Sequence, residues 1–179
     1  MAAEVQATRE QSAFAPSPES VPLLITRVDA LVEPRLAQVV ELEKEAFPPC
    51  ERLGPFLMQQ QTSLRTSGLL VAEFGLTLAG YCLFTRTASS GLISKLAVAS
   101  AFRRRGIGSE LLKRGISELE QPGRRCGPSE ILLHVDPGRP EARKLYESFG
   151  FVRSTLLPGY YSDARDALLM RRDCSSGKR

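Results

Sequence analysis

Apolar positions along this chain switch between two periods, and the switches mark out an alternation of strands and helices. Leu23 to Val28 reads as a first strand. Val32 to Phe47 carries Leu36, Val39, Leu42 and Ala46 at near-helical spacing, and Pro48-Pro49 end it. A second helix is expected over Leu53 to Arg65. Leu69 to Phe74 and Leu78 to Arg86 are apolar runs separated by a short connection containing Gly75, the pattern of a hairpin. Leu92 to Val98 reads as a strand. Gly106 to Leu119 is a strong helix, with Ile107, Leu111, Leu112, Ile116 and Leu119 on one side. Glu130 to Val135 follows as a buried strand, then Arg139 to Phe149 as a helix stopped by Gly150. Phe151 to Leu156 and Ala167 to Met170 are read as final strands joined by a turn-rich loop. This order predicts one mixed α/β domain around a central sheet.

The ends are polar. Residues 1–20, with Pro16 and Pro18, are expected to form a disordered tail, residues 21–172 the domain, and residues 173–179 a flexible C-terminal tail. The 42% hydrophobic content is that of an ordinary globular chain, and no apolar run approaches the ~20 residues of a membrane span. Cys50, Cys82, Cys126 and Cys174 form no CxxC pair, and His134 is the one histidine in the chain. A zinc site is therefore not expected, and the cysteines read as reduced thiols. With no signal peptide evident, we expect a cytoplasmic protein. Glu4, Glu10 and Glu19 do not favour a transit peptide, but an organellar or nuclear address stays open.

Charge changes this picture in one respect. Residues 1–90 carry 7 Lys/Arg against 10 Asp/Glu, whereas residues 91–179 carry 17 against 10. A basic second half points to an anionic ligand there, with a solvated basic face as the competing reading. Nucleic acid fits less well, because the basic residues are not interleaved with stacking aromatics and the chain has no Trp.

The most informative segment runs from Leu96-Ala97-Val98 through Arg103-Arg104-Arg105 to Gly106-Ile107-Gly108-Ser109. A strand leads through a basic turn into a helix. Glycines let backbone N–H groups approach a ligand closely, and the helix start adds unpaired donors and about half a positive charge. Such a turn suits a pyrophosphate. The Walker A and GxGxxG patterns are absent.

Downstream lie Ile131-Leu132-Leu133-His134-Val135-Asp136 and Ala142-Arg143-Lys144-Leu145-Tyr146-Glu147-Ser148-Phe149-Gly150-Phe151. With the RxxGxG turn before them, these resemble the GNAT superfamily of N-acetyltransferases, over about residues 22–172. The resemblance implies a GNAT fold: a central mixed, mostly antiparallel sheet of six to seven strands flanked by about four helices. Phe47-Pro48 after the first helix, and Gly159-Tyr160-Tyr161 followed by Asp166-Ala167-Leu168-Leu169-Met170, are similar to the ribosomal-protein-alanine and N-terminal protein acetyltransferase type.

That resemblance implies acetyl-CoA as cosubstrate. The backbone of Leu96, Ala97 and Val98 would pair with the pantetheine arm. Arg104 to Ser109 would hold the pyrophosphate, and Arg103, Arg104 and Arg105 would add charge within reach of a 3′-phosphate. Tyr146 would protonate the leaving thiolate. His134 falls where bacterial members carry a catalytic glutamate and some eukaryotic members a histidine, which makes it the candidate base. Phe47, Tyr160 and Tyr161 would line a peptide groove. Two departures are visible: Arg139 replaces an asparagine that meets the cofactor in bacterial members, where an arginine could reach a CoA phosphate, and the strand Gly91 to Leu96 lacks an acidic residue.

The implied acceptor is a protein or peptide amine, N-terminal or lysine, with an auxiliary subunit possible and no nucleic acid or membrane partner. A small-amine acetyltransferase acting on a polyamine or arylalkylamine is the alternative, for which Asp163 and Asp166 could serve. A non-catalytic acyl-CoA-binding module is a third reading, against which the presence of both His134 and Tyr146 argues.

Overall fold

In a computed structural model of the protein, two strands are apolar along nearly their whole length because both their faces are covered. They are β2 (Ser67–Phe74) and β3 (Thr77–Arg86). Leu69 and Val71 face one side, packed with Tyr81, Leu83 and the helix residues Leu36, Val39, Leu42 and Met58. Leu70 and Ala72 face the other, packed with Cys82, Leu111, Leu112 and Leu119. The sheet is thus the middle layer of three, and two cores grow from its two faces.

The structure describes residues 21–28, 32–87, 89–121 and 127–174. The expected tail over 1–20, and the part of the C-terminal tail over 175–179, lie outside the described residues. Before β2 come β1 (Leu23–Val28), α1 (Arg35–Ala46), a 3-10 turn (Pro49–Glu51) and α2 (Pro55–Ser63). After β3 come β4 (Ser90–Val98), a 3-10 turn (Ser100–Phe102), α3 (Ile107–Glu120), β5 (Glu130–Val135), α4 (Pro140–Ser148), β6 (Val152–Ser162) and β7 (Arg165–Asp173). The seven strands lie in the order β1-β2-β3-β4-β5-β7-β6. Every neighbouring pair is antiparallel except β4–β5. This is the expected mixed, mostly antiparallel sheet with four helices. Among the described residues no helix is long and apolar enough to cross a membrane.

Three expectations need correction. α1 begins at Arg35 rather than Val32, because Pro34 restricts Glu33 to non-helical backbone. The helix read from Leu53 is shorter and follows the separate turn over Pro49–Glu51, since Pro49 and Pro55 each open a new segment. The loop expected between the last two strands is instead a long hairpin, β6 running to Ser162 and β7 starting at Arg165. Pro158 and Gly159 look like turn residues. On this edge strand they are absorbed by a register shift between Leu157 and Ser162, with Gly159 at φ +64°.

β3 and β4 approach so closely that Gly80 has no room for a side chain: a Cβ there would lie 2.7 Å from the Ala97 carbonyl oxygen and 3.1 Å from Leu111 Cδ1. Gly80→Ala should lower stability by about 1–3 kcal/mol, since backbone and not a flexible side chain must yield. Chemical denaturation with an unchanged m-value is the check.

Candidate active site

The parallel pairing of β4 with β5 runs only from Ser90↔Glu130 to Ile93↔Leu133. β4 continues to Val98 against β3, with a register shift where Ile93 and Lys95 oppose Phe84 and Leu83. Beyond that irregularity β5 no longer follows, so Leu96, Ala97 and Val98 are paired to β3 alone. Their other edge offers backbone hydrogen-bonding groups to a ligand entering the split.

At the end of that edge stands the basic turn. Phe102 is buried and stacks on Phe74 with centroids 5.3 Å apart, anchoring the turn. The Arg103 Nε donates to the Val98 carbonyl at 3.0 Å. Arg104 takes a left-handed φ of 63°, Gly106 one of 80°, and the chain then enters α3. No side chain caps α3, so the N–H groups of its first turn point outward without an intrahelical partner. Ile107 is buried beneath them and holds the helix start in place. Arg104 is 84% exposed and lies 3.6 Å from an equally exposed Glu141, while Arg105 rests over the Phe102 ring at 5.7 Å. A left-handed non-glycine residue beside an uncapped, basic helix start is the backbone geometry that cradles a phosphate group.

Where β4 and β5 part, a cavity of about 410 Å³ opens, and it gathers residues from every part of the chain. Phe47 comes from the end of α1, Leu96 from β4, His134 from β5, Arg139 and Tyr146 from α4 and its start, and Tyr160 and Tyr161 from β6. In β5 the alternate residues Ile131, Leu133 and Val135 are buried in the core. His134 therefore faces the cavity, half-buried, and burial pushes its imidazole pKa below the usual value. Tyr146 is 8% exposed, with its ring edge-on to Phe151 at 6.1 Å. Burial raises its phenol pKa, which keeps it protonated. Tyr160 stacks on His134, centroids 4.6 Å apart and planes 15° apart, and meets Tyr161 edge-on at 5.0 Å. Burial, with Glu51 next, pushes the Tyr161 phenol up to about 12. β7 lies between β5 and β6 in the sheet, so Tyr160 reaches His134 only because the hairpin bends over the cavity at its irregular stretch.

Three charged residues absent from the sequence reading belong here: Glu51 and Lys95, which line the cavity, and Arg165, which pairs Glu51 with the lining residue Asp136. Lys95 is partly buried on β4 and donates to Glu43 at 3.3 Å and to the Glu51 carbonyl. It also sits 3.8 Å from the Phe47 ring centroid. Burial lowers its pKa and raises that of Glu43, whose carboxylate also accepts from Tyr81 and from the Leu53 N–H. Arg165 bridges Glu51 and Asp136, at 2.5 Å each. A lysine inside the apolar run Leu92 to Val98 was the one visible signal for this group. Arg139 is not drawn to the basic turn. Its guanidinium lies 5.4 Å over Phe47, donates to the Ala46 carbonyl at 3.4 Å and approaches Glu51 at 3.9 Å, on the α1 side of the cavity. Asp166 is occupied too, accepting from the Gly159 N–H at 3.0 Å.

The model of the acetyltransferase (GNAT) family matches residues 36–151. The chain belongs to the GNAT family of acetyltransferases. An uncharacterized N-acetyltransferase of Methanocaldococcus jannaschii is 34% identical over 139 residues, covering 75% of this chain and 83% of that protein. N-alpha-acetyltransferase 30 of Xenopus laevis is 40% identical over 81 residues, 45% of this chain, and the match spans only 28% of that protein's length. Among solved structures, the NatC complex bound to Gag peptide and CoA contains a chain superposing with a TM-score of 0.70 at 22% identity, over 84% of this chain and 98% of that one. The split strands and the uncapped basic helix start are features that a phosphate-bearing coenzyme would fit.

The two glycines of the GNAT turn differ physically. A Cβ at Gly108 would meet Val98 and Leu145 at 3.6 Å, ordinary contact, whereas Gly106 has open space but φ +80°. Gly108→Ala should be neutral or gain up to about 1 kcal/mol from helix propensity, and Gly106→Ala should lose about 1–2 kcal/mol. Paired urea titrations distinguish the two.

Proposed function

We propose that this protein transfers acetyl from acetyl-CoA to the α-amine at a protein N-terminus. One observation carries the reading: the cavity at the parted strands holds a neutral-leaning histidine and a protonated tyrosine under a hairpin bearing two further tyrosines. Acetyl-CoA supplies an acetyl thioester, from which the acetyl group passes to the amine nitrogen as the carbon–sulfur bond breaks. The free edge of Leu96 to Val98 would hold the pantetheine arm, and the N–H groups of Arg104 to Ser109 the pyrophosphate, with Arg103, Arg104 and Arg105 adding charge. Support for this coenzyme also comes from the NatC structure, which contains CoA.

His134 takes the proton that the amine must lose. Its lowered pKa leaves it neutral at pH 7 and able to accept, directly or through water. Tyr146 presents a phenolic O–H to the departing thiolate, and burial ensures that the proton is there. The acceptor class follows from charge. An α-amine near pKa ~8 costs about 1.4 kcal/mol to present neutral at pH 7, a lysine near ~10.4 about 4.6 kcal/mol. A base as weak as a desolvated imidazole matches the first. A polyamine would seek carboxylates without partners, but Glu51 and Asp136 are both bound to Arg165, and Lys95 and Arg139 stand close by. Phe47, Tyr160 and Tyr161 instead offer apolar rings and hydroxyls suited to a peptide. Arg139, with its side chain against Phe47, would shape that peptide side.

Turnover of acetyl-CoA against peptides with varied first residues, with spermidine and tryptamine as controls, tests the reading. Peptides should be acetylated at the α-amine. Turnover confined to spermidine or tryptamine would reverse it, and CoA binding without any turnover would favour a non-catalytic module.

The pH dependence has a definite sign. Burial favours neutral imidazole, so kcat/KM should stay on its plateau below the ordinary histidine pKa of ~6.5 and fall only at still lower pH as His134 protonates. His134→Gln should abolish that limb and lower kcat/KM by about 10²-fold. Tyr146→Phe should lower kcat by about 10²-fold with little change in KM, as expected where an interaction matters only as the bond breaks. An intact acid limb in the first variant, or an unchanged kcat in the second, removes that residue from the mechanism.

A further inference from the structure

The β6–β7 hairpin projects past the sheet that supports it. Pairing of β5 with β7 stops at Val135↔Leu168, so β7 before Leu168 has no strand on its inner side and is paired with β6 alone. β6 is the edge strand and mostly exposed. Yet this overhang carries Tyr160 and Tyr161, which must hold their places above His134. Something other than the sheet must fix it.

That role falls to Arg165, the first residue of β7. One guanidinium nitrogen lies 2.5 Å from Glu51 Oε1, the other 2.5 Å from Asp136 Oδ2, and the guanidinium carbon sits 5.4 Å from the Tyr161 ring centroid. Three elements meet in this one group: the turn after α1, the end of β5 and the hairpin. The anchor on the α1 side is itself held by hydrogen bonds. The Glu51 side chain is 7% exposed, and its backbone carbonyl accepts from the partly buried Lys95. Arg52 then donates to the carbonyls of Phe47 at 2.8 Å and Lys44 at 3.0 Å. The two walls thus joined, Phe47 with its turn and the tyrosine hairpin, are the walls of the cavity that contains His134.

We propose that Arg165 is a positioning residue for the acceptor: its ion pairs with Glu51 and Asp136 clasp the hairpin to the turn after α1 and set the width of the groove through which a peptide reaches His134. This rests on the peptide-acceptor reading above. Arg165 touches neither the parted β4 edge nor the basic turn, so the clasp acts on acceptor binding and leaves the coenzyme side alone.

The experiment compares wild type with Arg165→Met, Arg165→Lys and Glu51→Gln. In Arg165→Met the peptide KM should rise about tenfold while kcat stays within about twofold and the KM for acetyl-CoA is unchanged, the pattern of lost acceptor binding. Arg165→Lys should recover part of the loss. Glu51→Gln cuts the same clasp from the other wall, should repeat the effect, and serves if Arg165→Met does not fold. Hydrogen exchange, independent of any substrate, should show amides over 157–167 exchanging faster in both clasp-breaking variants. Unchanged peptide KM, or a fall in kcat alone, or equal loss of acetyl-CoA affinity, overturns the proposal. A wild type that acetylates no peptide overturns the acceptor reading instead, and unchanged exchange overturns the clasp on its own.

Discussion

The parting of two parallel strands is the constraint from which the rest of the site follows. A continuous β4–β5 ladder would satisfy every backbone group of Leu96 to Val98 and leave nothing to offer a ligand. Four registered pairs, ending at Ile93↔Leu133, hold the strands together at one end. The irregularity opposite Leu83 and Phe84 turns β4 while it stays bonded to β3. The split is kept open from both faces of the sheet. Ile107, Leu111 and Leu112 of α3 lie under β4 in one core, and Ala97 itself belongs to the core formed with α1. Burying these side chains contributes about 1.5–3 kcal/mol each, which more than offsets a few backbone groups left to solvent.

Charge is the second organising force, and it acts in sequence around the rim. Glu43 holds Lys95, Lys95 holds the Glu51 carbonyl and faces Phe47, Arg139 covers Phe47 and approaches Glu51, and Arg165 ties Glu51 to Asp136. Each cation has a carboxylate, a carbonyl or an aromatic face as neighbour, the condition under which buried charge is tolerable. The consequence for chemistry is that the carboxylates in the cavity are already engaged. An incoming ammonium group would find Glu51 and Asp136 already paired with Arg165, which favours the neutral form of the amine proposed as acceptor.

Legibility in the sequence tracked the range of the interaction. The helix face of α3, the basic turn with Gly106 and Gly108, and the alternation that aims His134 away from the core are local, so periodicity and spacing expose them. The β2–β3 hairpin was legible for the same reason. The final hairpin was not, because Pro158 and Gly159 carry turn signals that only an edge strand with a register shift can absorb. Glu51 and Arg165 were invisible because they matter to each other and lie in elements far apart in the chain. Arg139 was misdirected by position. Its backbone caps α4 near Glu141, the partner of Arg104, but its side chain follows the Phe47 ring and the Ala46 carbonyl to the opposite wall.

The stacked pair of His134 and Tyr160 ties these strands of argument together. An imidazole sandwiched against a phenol ring loses water on one face, which disfavours the imidazolium, in line with its lowered pKa. The same stack exists only while the hairpin stays bent over the cavity, and the hairpin is held there by ion pairs that avoid His134 itself. Tyr160 thus belongs both to the surroundings of the imidazole and to the wall of the groove. On the proposed mechanism, the clasp at Glu51 and Asp136 would therefore bear on acceptor binding, while the stack with Tyr160 keeps one face of the imidazole dry.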